Sequence, residues 1–164
     1  MRWFRFAALL VIAAILQAEP VNVIAVINPD IKPDLLVILL VFFAVHSNPS
    51  EAIITSFTIG FAADIAVGPL MGPRIISFGL FGTALANLHR VIAIRKMPYQ
   101  SLAIFIILIL TTISAHFLTF LRTQPSTPDI YVLFGTALYS ALIGPFLFLP
   151  CAWWMRIKKH HFGR

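Results

Sequence analysis

The chain has six acidic residues, and only Asp64 stands deep inside an apolar run. Its setting is Gly60-Phe-Ala-Ala-Asp64-Ile-Ala-Val-Gly68-Pro-Leu-Met-Gly72-Pro-Arg74. An acid in the middle of a membrane helix costs about 2.5–3.5 kcal/mol on insertion scales, so such residues usually face a bundle interior and have a partner. The obvious partner is Arg74, across a turn rich in glycine and proline and at similar depth. This arrangement predicts a buried pair that fixes a hairpin and shapes a partner surface or a cavity. Gly60, Asp64, Gly68 and Gly72 recur every four residues. On one continuous helix they would form a stripe. Gly68-Pro69 is expected to end the helix instead, leaving Gly60 and Asp64 on one face and Gly68 and Gly72 in the turn.

Other chemistry is sparse. Of the histidines His46, His89, His116, His160 and His161, only His116 lies deep in an apolar run, and none pairs with a glutamate at helical metal spacing. There is no Ser/His/Asp set at plausible depth, no carboxylate pair, no phosphate loop and no Gly-x-Gly-x-x-Gly. The single cysteine, Cys151, excludes an intrachain disulfide and a cysteine metal cluster. A channel or proton pump would carry more ionisable groups within its spans. The residues therefore point to a protein that is not an enzyme and uses no cofactor or metal.

The elements that position these residues are set by hydropathy. The 164 residues are 60% hydrophobic and 11% charged, whereas a soluble domain is about 25% charged. Mean hydropathy is +0.94. Too little polar sequence remains to coat a water-facing surface, so the solvent is lipid. A hydrocarbon core of about 30 Å takes roughly 20 apolar helical residues. Six spans are read, over 3–18, 34–46, 49–67, 74–94, 99–121 and 129–155. The second is short and must recruit flanking residues, thin the bilayer or sit behind other helices. Pro33 suits its first turn. Asn48-Pro49-Ser50-Glu51 reads as a cap and first turn of the third. The first span has another reading, a signal peptide with Arg2 and Arg5 as its basic region, but Leu16 is bulky near a cut after Ala18.

The net charge of +6 does not mark a nucleic-acid binder, because the cations sit between apolar runs and form no stripe. They are topology signals and contacts to anionic lipids. With six spans and both termini cytoplasmic, nine cations lie inside: Arg2, Arg5, Arg90, Arg95, Lys96, Arg156, Lys158, Lys159 and Arg164. Three lie outside: Lys32, Arg74 and Arg122. Trp3, Trp153 and Trp154 fall where a cytoplasmic aromatic belt belongs. Small residues spaced by four, Gly79/Thr83, Gly82/Ala86, Ala137/Ala141 and Ser140/Gly144, allow close helix approach. Pro145 and Pro150 are expected to kink the last helix. The expected fold is a single-domain, all-α integral membrane protein, a bundle of six transmembrane helices with a short second one and cytoplasmic N- and C-termini.

Two runs carry a resemblance. Lys32-Pro33-Asp34 followed by Leu-Leu-Val-Ile-Leu-Leu resembles the start of the second helix in the bacterial rod shape-determining MreD family. The pattern Gly60-x3-Asp64-x3-Gly68-x3-Gly72-x-Arg74 is similar to that family's central motif, in the same order; Pro69 and Pro73 in the turn depart from it. Length, basic ends and span layout agree over essentially the whole chain. The resemblance implies a multi-pass protein of the bacterial inner membrane and a scaffold of the elongation machinery that builds side-wall peptidoglycan. It implies association with an MreC-like periplasmic scaffold. Through that scaffold it implies links to MreB, RodA and a class B penicillin-binding protein. It also makes Pro33, Asp34, Gly60, Asp64, Gly68, Gly72 and Arg74 the structural or partner-interface candidates. A homo-oligomer stays open.

The rival class is the substrate-binding membrane subunit of an energy-coupling-factor vitamin transporter. Such subunits also have six helices, and often an Ala-x-x-x-Ala docking pattern on the first. Here the only instance, Ala14/Ala18, lies at the wrong end, and Asp64, Arg74 and Asn87 are thin material for a pocket.

Overall fold

The computed structural model describes residues 3–18, 33–67, 71–88, 97–121 and 130–155. They form α1 (Trp3–Ala18), α2 (Leu35–His46), α3 (Pro49–Val67), α4 (Pro73–Leu88), α5 (Met97–Phe120) and α6 (Ile130–Met155). No strand occurs among the described residues. Each of the six spans read from the sequence contains one of these helices. Two boundaries differ in a way that matters: Asp34 precedes α2 as its N-cap, and α4 begins on Pro73 rather than Arg74. Pro33 therefore lies one residue before the cap and not in the first turn, because the Asp34 side chain takes the capping position for itself. Residues 89–94 of the expected fourth span lie outside the described set.

The short second helix is the centre of the molecule. Twelve residues at about 1.5 Å each give roughly 18 Å, well under a bilayer core. Its sequence is apolar all the way round, which is the signature of a fully buried helix. Leu36 to Val45 are each at most 7% exposed. The helix packs against all five others, and these close around it in the order α1, α3, α4, α5, α6 and back to α1. Of the three ways a short span could exist, the fold uses the third, placing it behind other helices.

Phe42 is the largest plug in this centre. It is fully buried, edge-on to Phe43 at 5.2 Å and to Phe148 of α6 at 5.4 Å. Phe6 of α1 closes on Phe43 at 4.9 Å. Removing so large a buried ring leaves a cavity that rigid neighbours cannot fill. Phe42→Ala is expected to cost about 3–5 kcal/mol, read as thermal unfolding in detergent. A loss below about 1 kcal/mol would mean that the outer helices hold together without this plug.

The same contacts fix the helix directions. Phe6 near the start of α1 meets Phe43 near the end of α2, and Arg5 donates to the carbonyl oxygen of Trp154 in the last turn of α6 at 3.0 Å. Gln17 at the end of α1 meets Asp34 at the start of α2. One end of the bundle thus carries the start of α1 with the ends of α2 and α6. The opposite end carries the starts of α2, α4 and α6.

The ring is apolar outward on every side. Val11 of α1, Phe61 of α3, Leu80 of α4, Phe117 of α5 and Phe146 of α6 are all about half or more exposed. Two helix segments, Pro98–Phe120 and Ile130–Met155, are long and apolar enough to cross a membrane. The helix of α6 continues through both Pro145, which is buried, and Pro150, which is exposed.

Candidate functional site

The motif residues converge at the end where α2, α4 and α6 begin. Gly60 and Asp64 share one face of α3, and that face lies on the first turn of α4. A methyl group built on Gly60 would stand 2.8 Å from Ile75 Cα and 2.9 Å from the Arg74 carbonyl oxygen, so glycine is what lets the two backbones touch. One turn further along α3, the Asp64 side chain is then within reach of the opening of α4. It is 2% exposed.

The partner of Asp64 is not the one the sequence suggests. Its Oδ2 accepts from the backbone N–H of Gly72 at 2.8 Å and of Ile75 at 3.1 Å, and its Oδ1 accepts from the N–H of Arg74 at 3.0 Å. The expected charge pair is corrected to a cap supplied from a neighbouring helix. The physical reason is that a helix start leaves N–H groups without partners, and those of Gly72, Arg74 and Ile75 stand within 3.1 Å of the carboxylate. Pro73 at the first helical position has no N–H to satisfy. The Ile76 N–H already reaches the Gly72 carbonyl at 3.1 Å. With Asp64 in place, the opening turn has no donor left over. A carboxylate has about four lone-pair sites, so three amides fit it.

Gly72 aims its N–H at Asp64 from a backbone φ of 125°, in the left-handed half of the map that side chains disfavour. Gly72→Ala is expected to cost about 1–3 kcal/mol from this strain alone, visible as a lower midpoint in detergent unfolding. An unchanged midpoint would show that the turn has another low-energy path. Gly68 lies outside the described residues.

A second cap sits at the same end. Asp34 Oδ1 accepts from the N–H of Val37 at 3.1 Å and from Gln17 Nε2 at 2.9 Å. Gln17 Oε1 in turn accepts from the N–H of Leu36 at 3.1 Å, and the Asp34 N–H donates to Ser140 Oγ at 2.9 Å. This network ties α1 and α6 to the start of the central helix. Sequence reasoning missed Gln17 and took Ser140 only as a small residue. The available signal was a lone amide closing an otherwise apolar helix, which must find a partner in lipid. Gln17→Leu should cost about 1–3 kcal/mol, because it leaves the Leu36 N–H unpaired; stability equal to wild type would show that water or lipid headgroups replace it.

Hydroxyl groups complete the polar interior. Ser114 of α5 donates to Ser77 Oγ of α4 at 2.6 Å, and Ser77 donates to the Pro73 carbonyl at 2.7 Å. Thr55, Ser56 and Thr111 each donate back to their own helix. Among the described residues no buried side-chain nitrogen or oxygen lacks a partner. They also hold no group of three or more potential metal ligands. Asp64, Arg74 and Asn87 are not gathered into one pocket: Arg74 and Asn87 sit 13 residues apart on α4, roughly 20 Å along the axis.

An all-helical bundle with large apolar side chains exposed on every ring helix, and two helices long and apolar enough to cross a membrane, fits a membrane protein. The family of rod shape-determining protein MreD is matched over residues 1–158, and the chain belongs to that family. It therefore has a role in determining rod shape. No curated protein and no solved structure matches the chain.

Proposed function

We propose that the chain is a non-enzymatic scaffold of the bacterial inner membrane, organising side-wall peptidoglycan synthesis with an MreC-like periplasmic protein. MreB, RodA and a class B penicillin-binding protein are reached through that partner. In this reading all six helices cross the bilayer, the five of the ring around the short α2, with the N- and C-termini cytoplasmic. The observation that carries it is the use made of the buried and half-buried polar groups. Asp34, Asp64, Gln17 and Ser140 are spent on capping and joining helices, which suits a rigid docking body. The meeting of Arg5 with Trp154 supports termini on one side, and the count of cations supports that side being cytoplasmic. Docking would proceed by helix packing in lipid, where small residues and interhelical hydrogen bonds drive association. Pro33, Asp34, Gly60, Asp64, Gly68, Gly72 and Arg74 would act by setting the shape of the docking body.

Depletion of the protein from rod-shaped cells should make them round up, with wall insertion no longer confined to the side wall. Cells that keep their rod shape and their insertion pattern through depletion would refute the role.

A further inference from the structure

The described residues include two arginines, and their electrostatic settings are opposite. Arg5 lies beside the last turn of α6 and donates to the Trp154 carbonyl. That is the negative end of a helix dipole, where a cation is stabilised. Arg74 stands in the first turn of α4, at the positive end, where a cation is disfavoured. The Asp64 carboxylate spends its hydrogen bonds on three backbone amides and makes none to the Arg74 guanidinium. Among the described residues no acid or carbonyl oxygen holds the half-buried Arg74 guanidinium; only its backbone N–H is engaged. His116 on α5 lies two residues beyond Ser114, whose bond to Ser77 brings α5 against the first turns of α4. At this level the α4–α5 seam is polar, with Ser77 and Ser114 bonded across it. A guanidinium so placed has donors to offer an anion.

We propose that Arg74, with His116 nearby, binds a phosphate group at this end of the bundle, and that this group belongs to the headgroup of an anionic membrane lipid. The planar guanidinium matches two phosphate oxygens at once, which an ammonium cannot do. The Asp64 cap then has a further consequence: by holding the Arg74 backbone it fixes where the side chain starts. The inference needs only the membrane setting and stands apart from the scaffold role.

The test is binding of phosphatidylglycerol to the purified full chain in neutral detergent, counted by native mass spectrometry. Phosphatidylcholine and inorganic phosphate serve as parallel probes. Arg74→Gln should weaken phosphatidylglycerol binding by about tenfold, and Arg74→Lys should recover only part of it. Arg5→Gln, which removes the same charge elsewhere, should leave most of it. The proposal is overturned if Arg74→Gln binds as wild type does, or if Arg5→Gln loses as much. Inorganic phosphate matching the lipid's effect would keep the phosphate site and overturn its assignment to lipid. Should Arg74→Gln not fold, modification of wild-type Arg74 by phenylglyoxal decides the matter. Protection by phosphatidylglycerol supports the site, and none overturns it.

Discussion

Asp64→Ala should destabilise the bundle by about 3–5 kcal/mol, the largest effect expected of any polar substitution in the chain. Three backbone donors, those of Gly72, Arg74 and Ile75, lose their acceptor together. Each unsatisfied buried group costs about 1–3 kcal/mol, and little water reaches a site where the side chain is 2% exposed. Asp64→Asn is the sharper variant. It keeps the shape but leaves one acceptor oxygen, and it places an amide NH2 against another donor. It should lose about half as much as the alanine. Arg74→Gln should cost far less than either, because the backbone N–H that Asp64 holds is still present. A salt bridge would predict the reverse, with Arg74→Gln and Asp64→Ala nearly equal. Thermal unfolding of the three variants in one detergent distinguishes the two.

Gly60→Ala should be the most damaging of the small-residue substitutions, at about 2–4 kcal/mol. Its methyl group would meet backbone atoms, Ile75 Cα at 2.8 Å and the Arg74 carbonyl at 2.9 Å, and these cannot rotate away. Overpacking of this kind costs about 1–3 kcal/mol. Here the separation of α3 from α4 also stretches the three bonds of Asp64, one turn away. Gly79→Ala provides the contrast. The group it would meet is the ring of Phe57, a partly exposed side chain that can turn outward. Helix propensity favours alanine over glycine by about 1 kcal/mol, so this change should be near neutral. Because Gly60 and Asp64 serve one contact, the double variant should lose less than the sum of the singles. Strict additivity in a double-mutant cycle would show that the two residues act independently.

What could be read in advance follows from which forces are local. Hydropathy alone places the helices, since apolar length is a property of the chain itself; α1 and α3 begin and end where the apolar runs do. The stripe of Gly60 and Asp64 is equally legible, because i and i+4 share a face wherever a helix forms. The partner of Asp64 was not. An acid and a base across a tight turn look like a pair in sequence, whereas backbone amides carry no letter. Only the close approach allowed by Gly60 brings those amides within reach. Asp34 was legible as a motif residue but not as a hub, since its bonds to Gln17 and Ser140 span 17 and 106 residues. The central place of α2 lies between these cases. Its all-round apolar sequence demands burial, but the choice among recruiting residues, thinning the bilayer and hiding behind neighbours is settled by the other five helices.

In the proposed function, the α3–α4 hairpin locked by Asp64 supports a docking body for a periplasmic scaffold. The most direct measurement is affinity purification of the tagged chain from mild detergent, wild type against Asp64→Ala, at matched membrane levels. Wild type should recover an MreC-like protein, and Asp64→Ala should recover markedly less of it, with Gly79→Ala recovering as much as wild type. Equal recovery by Asp64→Ala would contradict the account, and recovery of ATP-binding-cassette subunits in place of the scaffold would replace it with the transporter reading.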